Sequence, residues 1–323
     1  MDKFNIILPT ALEWHVSGVG GVIATVIRTW GSAPRPIGSQ LAVSGEGDII
    51  GSVSGGCVEG AVIIEALNTL KTGKNIILEY GVSDEDAFAV GLGCGGNIQI
   101  LVEPIGFGLS ESTLTELVHR CQRKENVAYS IDINSGVNKL ISWDVNAVNK
   151  LGINNSGFYG AEFLIVYEKP LRMAVIGGVH IAQPLVNIAK MSGFTVLVID
   201  PRSIFLNATR FPETELSDLW PDDALKIFKP DNRTAIITLS HDPKIDDPAI
   251  IEALSSNCFY IGCLGSKKTH SKRLNRLSKI VNSDACLSRI HGPIGLKIKS
   301  QTPTEIAISI MAEVIQSLRV NSI

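Results

Sequence analysis

No two of the six cysteines form a C-x-x-C pair. Their spacing suits neither a structural zinc nor an iron–sulfur cluster. A chain of this length without cluster motifs is not a complete molybdenum or iron–sulfur flavoenzyme. No apolar run is long enough to cross a membrane, and none follows the opening Met1, Asp2 and Lys3, which predicts no signal peptide. Basic and acidic tails, long repeats and low-complexity segments are absent too. A formal net charge of −3 argues against nucleic-acid binding through a global field. The expected compartment is the cytoplasm, where Cys57, Cys94, Cys121, Cys258, Cys263 and Cys286 are thiols.

What is present is a globular composition, 45% hydrophobic and 19% charged, over 323 residues, enough for two domains. The expected fold class is α/β: an N-terminal α+β domain over 1–168 and a C-terminal Rossmann-like domain over 169–323. In the first, a helix covers Thr10 to Ser17 and strands cover Val22 to Thr29, Gln40 to Ser44, Asp48 to Val53, Asn75 to Tyr80 and Asn97 to Val102. A helix begins near Cys57, another spans Leu114 to Arg123, and a hairpin joins Val127–Ile133 to Lys139–Trp143, with a strand at Ala161 to Tyr167. After Pro170 the rhythm changes to strands alternating with helices, which implies a parallel sheet covered on both faces. Strands are expected at Arg172–Ile176, Thr195–Ile199, Leu225–Phe228, Ala235–Leu239 and Phe259–Gly262. Helices are expected at His180–Met191, Asp246–Ser255 and Ser266–Ile280. The last helix is the best marked: Thr302 is an N-cap, Pro303 suits the first turn and Glu305 completes a capping box. Its apolar face, from Ile306 to Leu318, reads as a docking or dimer surface.

Chemistry concentrates first in two glycine-rich loops. Gly55 and Gly56 precede Cys57 and Glu59, and Gly93 precedes Cys94, Gly95 and Gly96. Glycines between a strand and a helix allow close backbone approach; free amides at a helix start favour an anion and bias a thiol toward thiolate. The two loops read as one site. Glu59 and the acidic run 84–86 are acid–base candidates, the run being more simply an exposed turn. The other four cysteines read as small buried hydrophobes.

The second concentration lies at the carboxyl ends of the Rossmann strands, where open α/β sheets bind ligands. His180 follows the first strand, Asp200 ends the second, and His241 follows a third. A dinucleotide fingerprint wants glycine at the first, third and sixth places. Here Gly177, Val179 and Ala182 stand there, and Val179 crowds the pyrophosphate position, although Asp200 suits a ribose. Lys267, Lys268, Lys272 and Arg273 crowd a helix start, where the helix dipole disfavours cations. Either a bound anion resolves that conflict, or the turn is simply solvated. His180, His241 and His270 have no metal-ligand spacing, and His291 reads as structural.

Several motifs in one order carry a resemblance. They are Val22–Arg28 with Pro34 and Arg35, Ser54–Glu59 and Gly91–Gly96. In the second half follow Asp200-Pro201-Arg202, His241-Asp242, Tyr260–Ser266, Pro293–Leu296 and Thr302–Ala307. On these motifs the chain resembles the XdhC/CoxI family over nearly its whole length, apart from about residues 105–165. The resemblance implies a xanthine dehydrogenase accessory factor, an agent of molybdenum hydroxylase maturation rather than a catalyst. It implies a factor that binds the molybdenum cofactor (molybdopterin), helps present it to a cysteine desulfurase for sulfuration, and delivers it to an apo-hydroxylase. On that reading Cys57 and Cys94 face the molybdenum, while Arg35, Lys267 and Lys268 hold anionic groups. The family's Gly-x-Gly-His turn is broken here by Val179. An NAD(P)-dependent oxidoreductase is the alternative, and a homodimer is expected from the last helix.

Overall fold

A computed structural model describes residues 3–31, 35–81, 96–142, 155–281 and 283–320. The chain divides into two compact units, Asp2–Lys169 and Pro170–Ile323.

In the first unit, β1 (Gly21–Trp30), β2 (Gln40–Ser44), β3 (Ile49–Gly51), β4 (Ile76–Tyr80) and β5 (Asn97–Pro104) form an antiparallel sheet in the order β3-β2-β1-β5-β4. A second antiparallel sheet holds β6 (Val127–Asp132), β7 (Asn138–Ser142), β8 (Gly157–Tyr159) and β9 (Glu162–Tyr167), in the order β7-β6-β9-β8. The β1 run reads as continuously apolar because both its faces are covered. Val22, Ala24 and Val26 pack with Val58, Val62 and Ala66 at the Glu59–Thr72 helix. Ile23 and Ile27 pack on the opposite side with Leu8 and Ala11 of the Lys3–Val16 helix and with Tyr129 of β6. Each of the Val, Ile and Leu side chains among them contributes about 1.5–3 kcal/mol on leaving water, before entropic costs.

Polar groups also enter this core. Glu103 of β5 is buried and accepts a 2.6 Å hydrogen bond from the Tyr129 hydroxyl of β6. Gln40 of β2 donates to the Tyr167 hydroxyl of β9 at 2.9 Å. Burial pushes the Glu103 carboxyl up to about 7, against the opposing effect of the Tyr129 bond.

In the second unit all strand pairs are parallel: β10 (Leu171–Ile176), β11 (Phe194–Ile199), β12 (Glu215–Ser217), β13 (Thr234–Thr238), β14 (Tyr260–Cys263) and β15 (Ile290–His291). Their order, β12-β11-β10-β13-β14-β15, is the doubly wound order of dinucleotide-binding folds and reverses between β10 and β13. The fold class is therefore as expected, α/β with an antiparallel N-terminal part and a Rossmann-like second part.

One expectation fails. Leu225–Phe228 is not a strand but the end of the Pro221–Phe228 helix, begun by Pro221 with Asp222 and Asp223 in its first turn. A short apolar run is ambiguous by period alone, and the helix-start residues just upstream decide it. The last helix, Pro303–Val320, carries the expected capping box: Glu305 N donates to Thr302 Oγ1 at 3.2 Å, and Thr302 N to Glu305 Oε2 at 3.3 Å. Much of its apolar face is covered within the unit. Ala307, Ile310, Met311 and Val314 are buried with Leu185, Val186 and Ala189 of the neighbouring Ala182–Met191 helix. The face expected to dock thus docks on the chain's own core.

The raised Glu103 value gives a signed pH dependence. The folded state holds the proton more tightly than the unfolded chain, whose carboxyl titrates near 4.5. Stability from this group is complete below 4.5 and declines as pH rises to about 7, by on the order of 3 kcal/mol. Glu103→Gln should abolish that decline, so urea unfolding should find the variant progressively more stable than the parent chain across this window. The same stability gap between the two chains at pH 4 and pH 8 would contradict the assignment.

Candidate functional sites in the two units

The Gly51–Gly60 stretch folds into a loop around a carboxylate of its own. Glu59 opens the Glu59–Thr72 helix and turns back into the loop. Its Oε1 accepts from Ser52 Oγ at 2.7 Å and from the amides of Val53, Ser54 and Gly55 at 3.2, 2.9 and 3.1 Å. Its Oε2 accepts from Gly56 N at 2.9 Å and from the Ser54 hydroxyl. Four consecutive amides thus converge on one carboxylate. Gly55 and Gly56 make this possible, with φ of 84° and 119°, in the left-handed region that side chains resist. Burial alone would raise the Glu59 value, but the bonds from Ser54 and Ser52 outweigh it and hold it down at about 2.

This corrects the expectation for the loop. The amide nest assigned to a ligand's anion is filled by Glu59, which is neither a free acid–base group nor available to a cofactor while those bonds hold. Cys57 is half-buried just before the helix, its amide donating to Ser54 Oγ at 3.0 Å. Its expected partner Cys94, with Gly95 and the acidic run 84–86, lies outside the described residues; Gly96 is described and buried. Arg35 is half-buried. Cys258 and Cys263 are buried, and burial pushes the Cys263 thiol up to about 11. Cys121 is half-buried and also raised to about 11 by burial.

The glycine turn after β10 is closed in the same way. Asp200, fully buried at the end of β11, accepts from Gly178 N at 2.9 Å, and from Arg202 Nε at 2.9 Å and Nη2 at 2.8 Å. Burial opposes ionisation, yet the Arg202 and Gly178 bonds hold the Asp200 carboxyl below its usual range. The Phe205 carbonyl lies against Gly178, 2.9 Å from where a Cβ would stand, and the Arg202 guanidinium stacks on the Phe205 ring at 4.4 Å. The assignment of Asp200 to a ribose is therefore corrected: its carboxylate is spent and out of reach of solvent. Val179, expected to obstruct, packs partly into the core instead. His180 is exposed in the following turn.

A third arrangement is open. Between the segment after β13 and the Lys267–Leu277 helix lies a cleft of about 290 Å³. His241 and Asp246 line one side; Lys268, Lys272, Arg273 and Arg276 line the other. His241 and Lys268, both expected site residues, meet here, while Lys267 is not among the lining residues. Asp246 and Arg276 were not anticipated. The signal was available: Lys268, Lys272 and Arg276 recur every fourth residue, which puts them on one helix face. His270 donates nothing from its buried Nδ1, and its ring is held below its usual value by burial and by Arg273. His291 pairs with Glu313 at 3.4 Å, a structural role shared with Tyr260 and Gly295. Among the described residues, no three His, Cys, Asp or Glu side chains gather to hold a metal ion.

Residues 14–81 match the model described as "XdhC and CoxI family", and residues 173–314 match the one described as "XdhC Rossmann domain". The chain belongs to the XdhC/CoxI family. A relative in Escherichia coli (strain K12), named molybdenum cofactor insertion chaperone PaoD, is 28% identical over 97% of this chain and 88% of its own length. A Bacillus subtilis (strain 168) relative, named as a probable xanthine dehydrogenase subunit, is 27% identical over 98% of each chain. A crystal structure described as a xanthine dehydrogenase from Bacillus halodurans superposes with a TM-score of 0.80 at 25% identity, covering 99% of this chain and 96% of that one.

The Glu59 assignment predicts a loss of about 2 kcal/mol in Glu59→Gln, after discounting for partial solvation. The lowered folded value means this contribution is present above 4.5 and is lost as pH falls through about 2. Denaturant melts of the two chains should therefore differ at pH 7 and converge in acid; a constant gap would refute it.

Proposed function

We propose that this chain is a maturation factor that binds the molybdenum cofactor and passes it to an apo-hydroxylase of the xanthine dehydrogenase kind. What supports this reading most is the relative named as a cofactor insertion chaperone, which matches along almost the full length of both chains. The N-terminal loop adds a physical reason. A pterin dithiolene brings its own sulfur ligands to molybdenum, so the protein need offer only a soft donor at an exchangeable position. Cys57 provides such a donor at the end of a loop whose backbone is pinned by the bonds to Glu59. Pinning the loop lowers the entropy lost on binding, because the backbone that carries Cys57 is already ordered.

In this proposal Cys57 and Cys94 face the molybdenum, and Arg35 contributes a cation at the first unit's glycine-bounded loop. A cysteine desulfurase supplies the sulfur for sulfuration, in the cytoplasm, and the factor itself is an accessory rather than a catalyst. Glu59, Gly55 and Gly56 act on the cofactor through the loop rather than by touching it. NAD(P) has no comparable support, since the turn that would hold its pyrophosphate is engaged by Asp200 and Phe205.

The test is purification without oxygen, followed by assays for oxidised pterin and for molybdenum. Cys57→Ala should cut both about tenfold, the loss of a single strong ligand contact, while the melting temperature stays near that of the parent. Full cofactor content in both Cys57→Ala and Cys94→Ala would sink the reading. Millimolar NAD or NADP should leave the melting temperature unchanged.

A further inference from the structure

The cleft beside the Lys267–Leu277 helix carries an unusual electrostatic imbalance. Arg273 is 3% exposed, yet its Nε and Nη1 have no hydrogen-bond partner. Its Nη2 donates to the Leu264 carbonyl at 2.9 Å and stands 3.9 Å from Asp246 Oδ2, too far for a hydrogen bond. A buried guanidinium with unspent donors is costly unless something else meets them. Asp246 cannot do so fully, because its Oδ1 is held by Ser240 Oγ at 2.7 Å and Ser240 N at 3.3 Å. Arg276 is already paired with Asp247 at 2.7 and 3.0 Å. Lys268 and Lys272 line the same cleft. Three cations therefore face one carboxylate along one side of this helix.

The geometry points to this cleft as a binding site for the phosphate or diphosphate group of a small molecule, with Arg273 at its floor and Lys268 and Lys272 at its rim. A phosphate carries close to two negative charges and several acceptor oxygens, which matches the surplus and the open donors. Ser266 caps the helix by accepting from Thr269 N at 3.1 Å, so the side-chain cations rather than that amide carry the site. The cleft lies beyond the carboxyl ends of β13 and β14, where this sheet type receives ligands. The inference does not rest on the molybdenum reading. A phosphorylated cofactor is one source of such a group, and any small phosphoester is another.

The test is titration of the full chain with inorganic phosphate, pyrophosphate and, as a carboxylate control, acetate, followed calorimetrically at fixed ionic strength. Pyrophosphate should bind at about millimolar strength or tighter, and acetate should not. Lys268→Ala combined with Lys272→Ala should weaken pyrophosphate about tenfold, and Asp246→Asn should strengthen it about threefold by removing a like charge. Lys279→Ala, just past the end of the same helix and outside the cleft, should leave affinity unchanged. Arg273→Gln should abolish binding, and the surface lysine pair keeps the test decisive if that variant does not fold. The inference is overturned by no binding at about 10 mM pyrophosphate, by an unaffected double lysine variant, or by an equal loss in Lys279→Ala. Cofactor content in Cys57→Ala is a separate readout, so either idea can fail while the other stands.

Discussion

The carboxylate of Glu59 is the interaction on which the N-terminal loop depends. Two glycines with positive φ leave a run of amides pointing the same way, and such a run must meet an acceptor once it leaves water. The chain supplies that acceptor three residues after Gly56, from the first turn of the following helix. One side chain thereby fixes the turn, starts the helix and settles where Cys57 stands. The anion preference of a helix start is real, but it is satisfied from within.

The same device recurs in the Rossmann unit. Asp200 meets Gly178 N, and Glu313 meets Gly295 N at 2.6 Å. In each case a glycine-bearing turn presents an amide and a carboxylate from another part of the unit closes it. This changes what a doubly wound sheet implies here. Its strand order is that of dinucleotide-binding proteins, but its first turn is occupied by Asp200 and covered by Phe205. Fold and ligand are separate questions, and the site chemistry has to answer the second.

The cleft next to His241 behaves in the opposite sense. Its carboxylates are too few or already committed, and its buried guanidinium keeps open donors. The lysines four residues apart repel one another along the helix, a cost that an incoming anion offsets. The chain thus spends its own acids on its glycine turns and leaves cations unmatched at one cleft, which makes that cleft chemically distinct from the closed turns around it.

Much of this was legible in the sequence. Apolar runs such as Val22–Val26 and Ala235–Ile237, the alternation after Pro170, and the Thr302–Glu305 cap are local patterns, so they disclosed the strands, the parallel sheet and the last helix without any tertiary knowledge. The clustering of glycine with Cys57 and of lysine at Lys267 and Lys268 was equally plain. What the sequence alone did not determine was who partners whom. Whether the amides at Gly55 and Gly56 are free, whether Asp200 faces a ribose or Arg202, whether the face of Ile310 is spare, and which lysine enters the cleft are all set by contacts that spacing does not reveal. Composition and spacing state which groups exist; only the folded chain decides which of them have already been satisfied, because burial and hydrogen-bond geometry belong to pairs of residues rather than to either one.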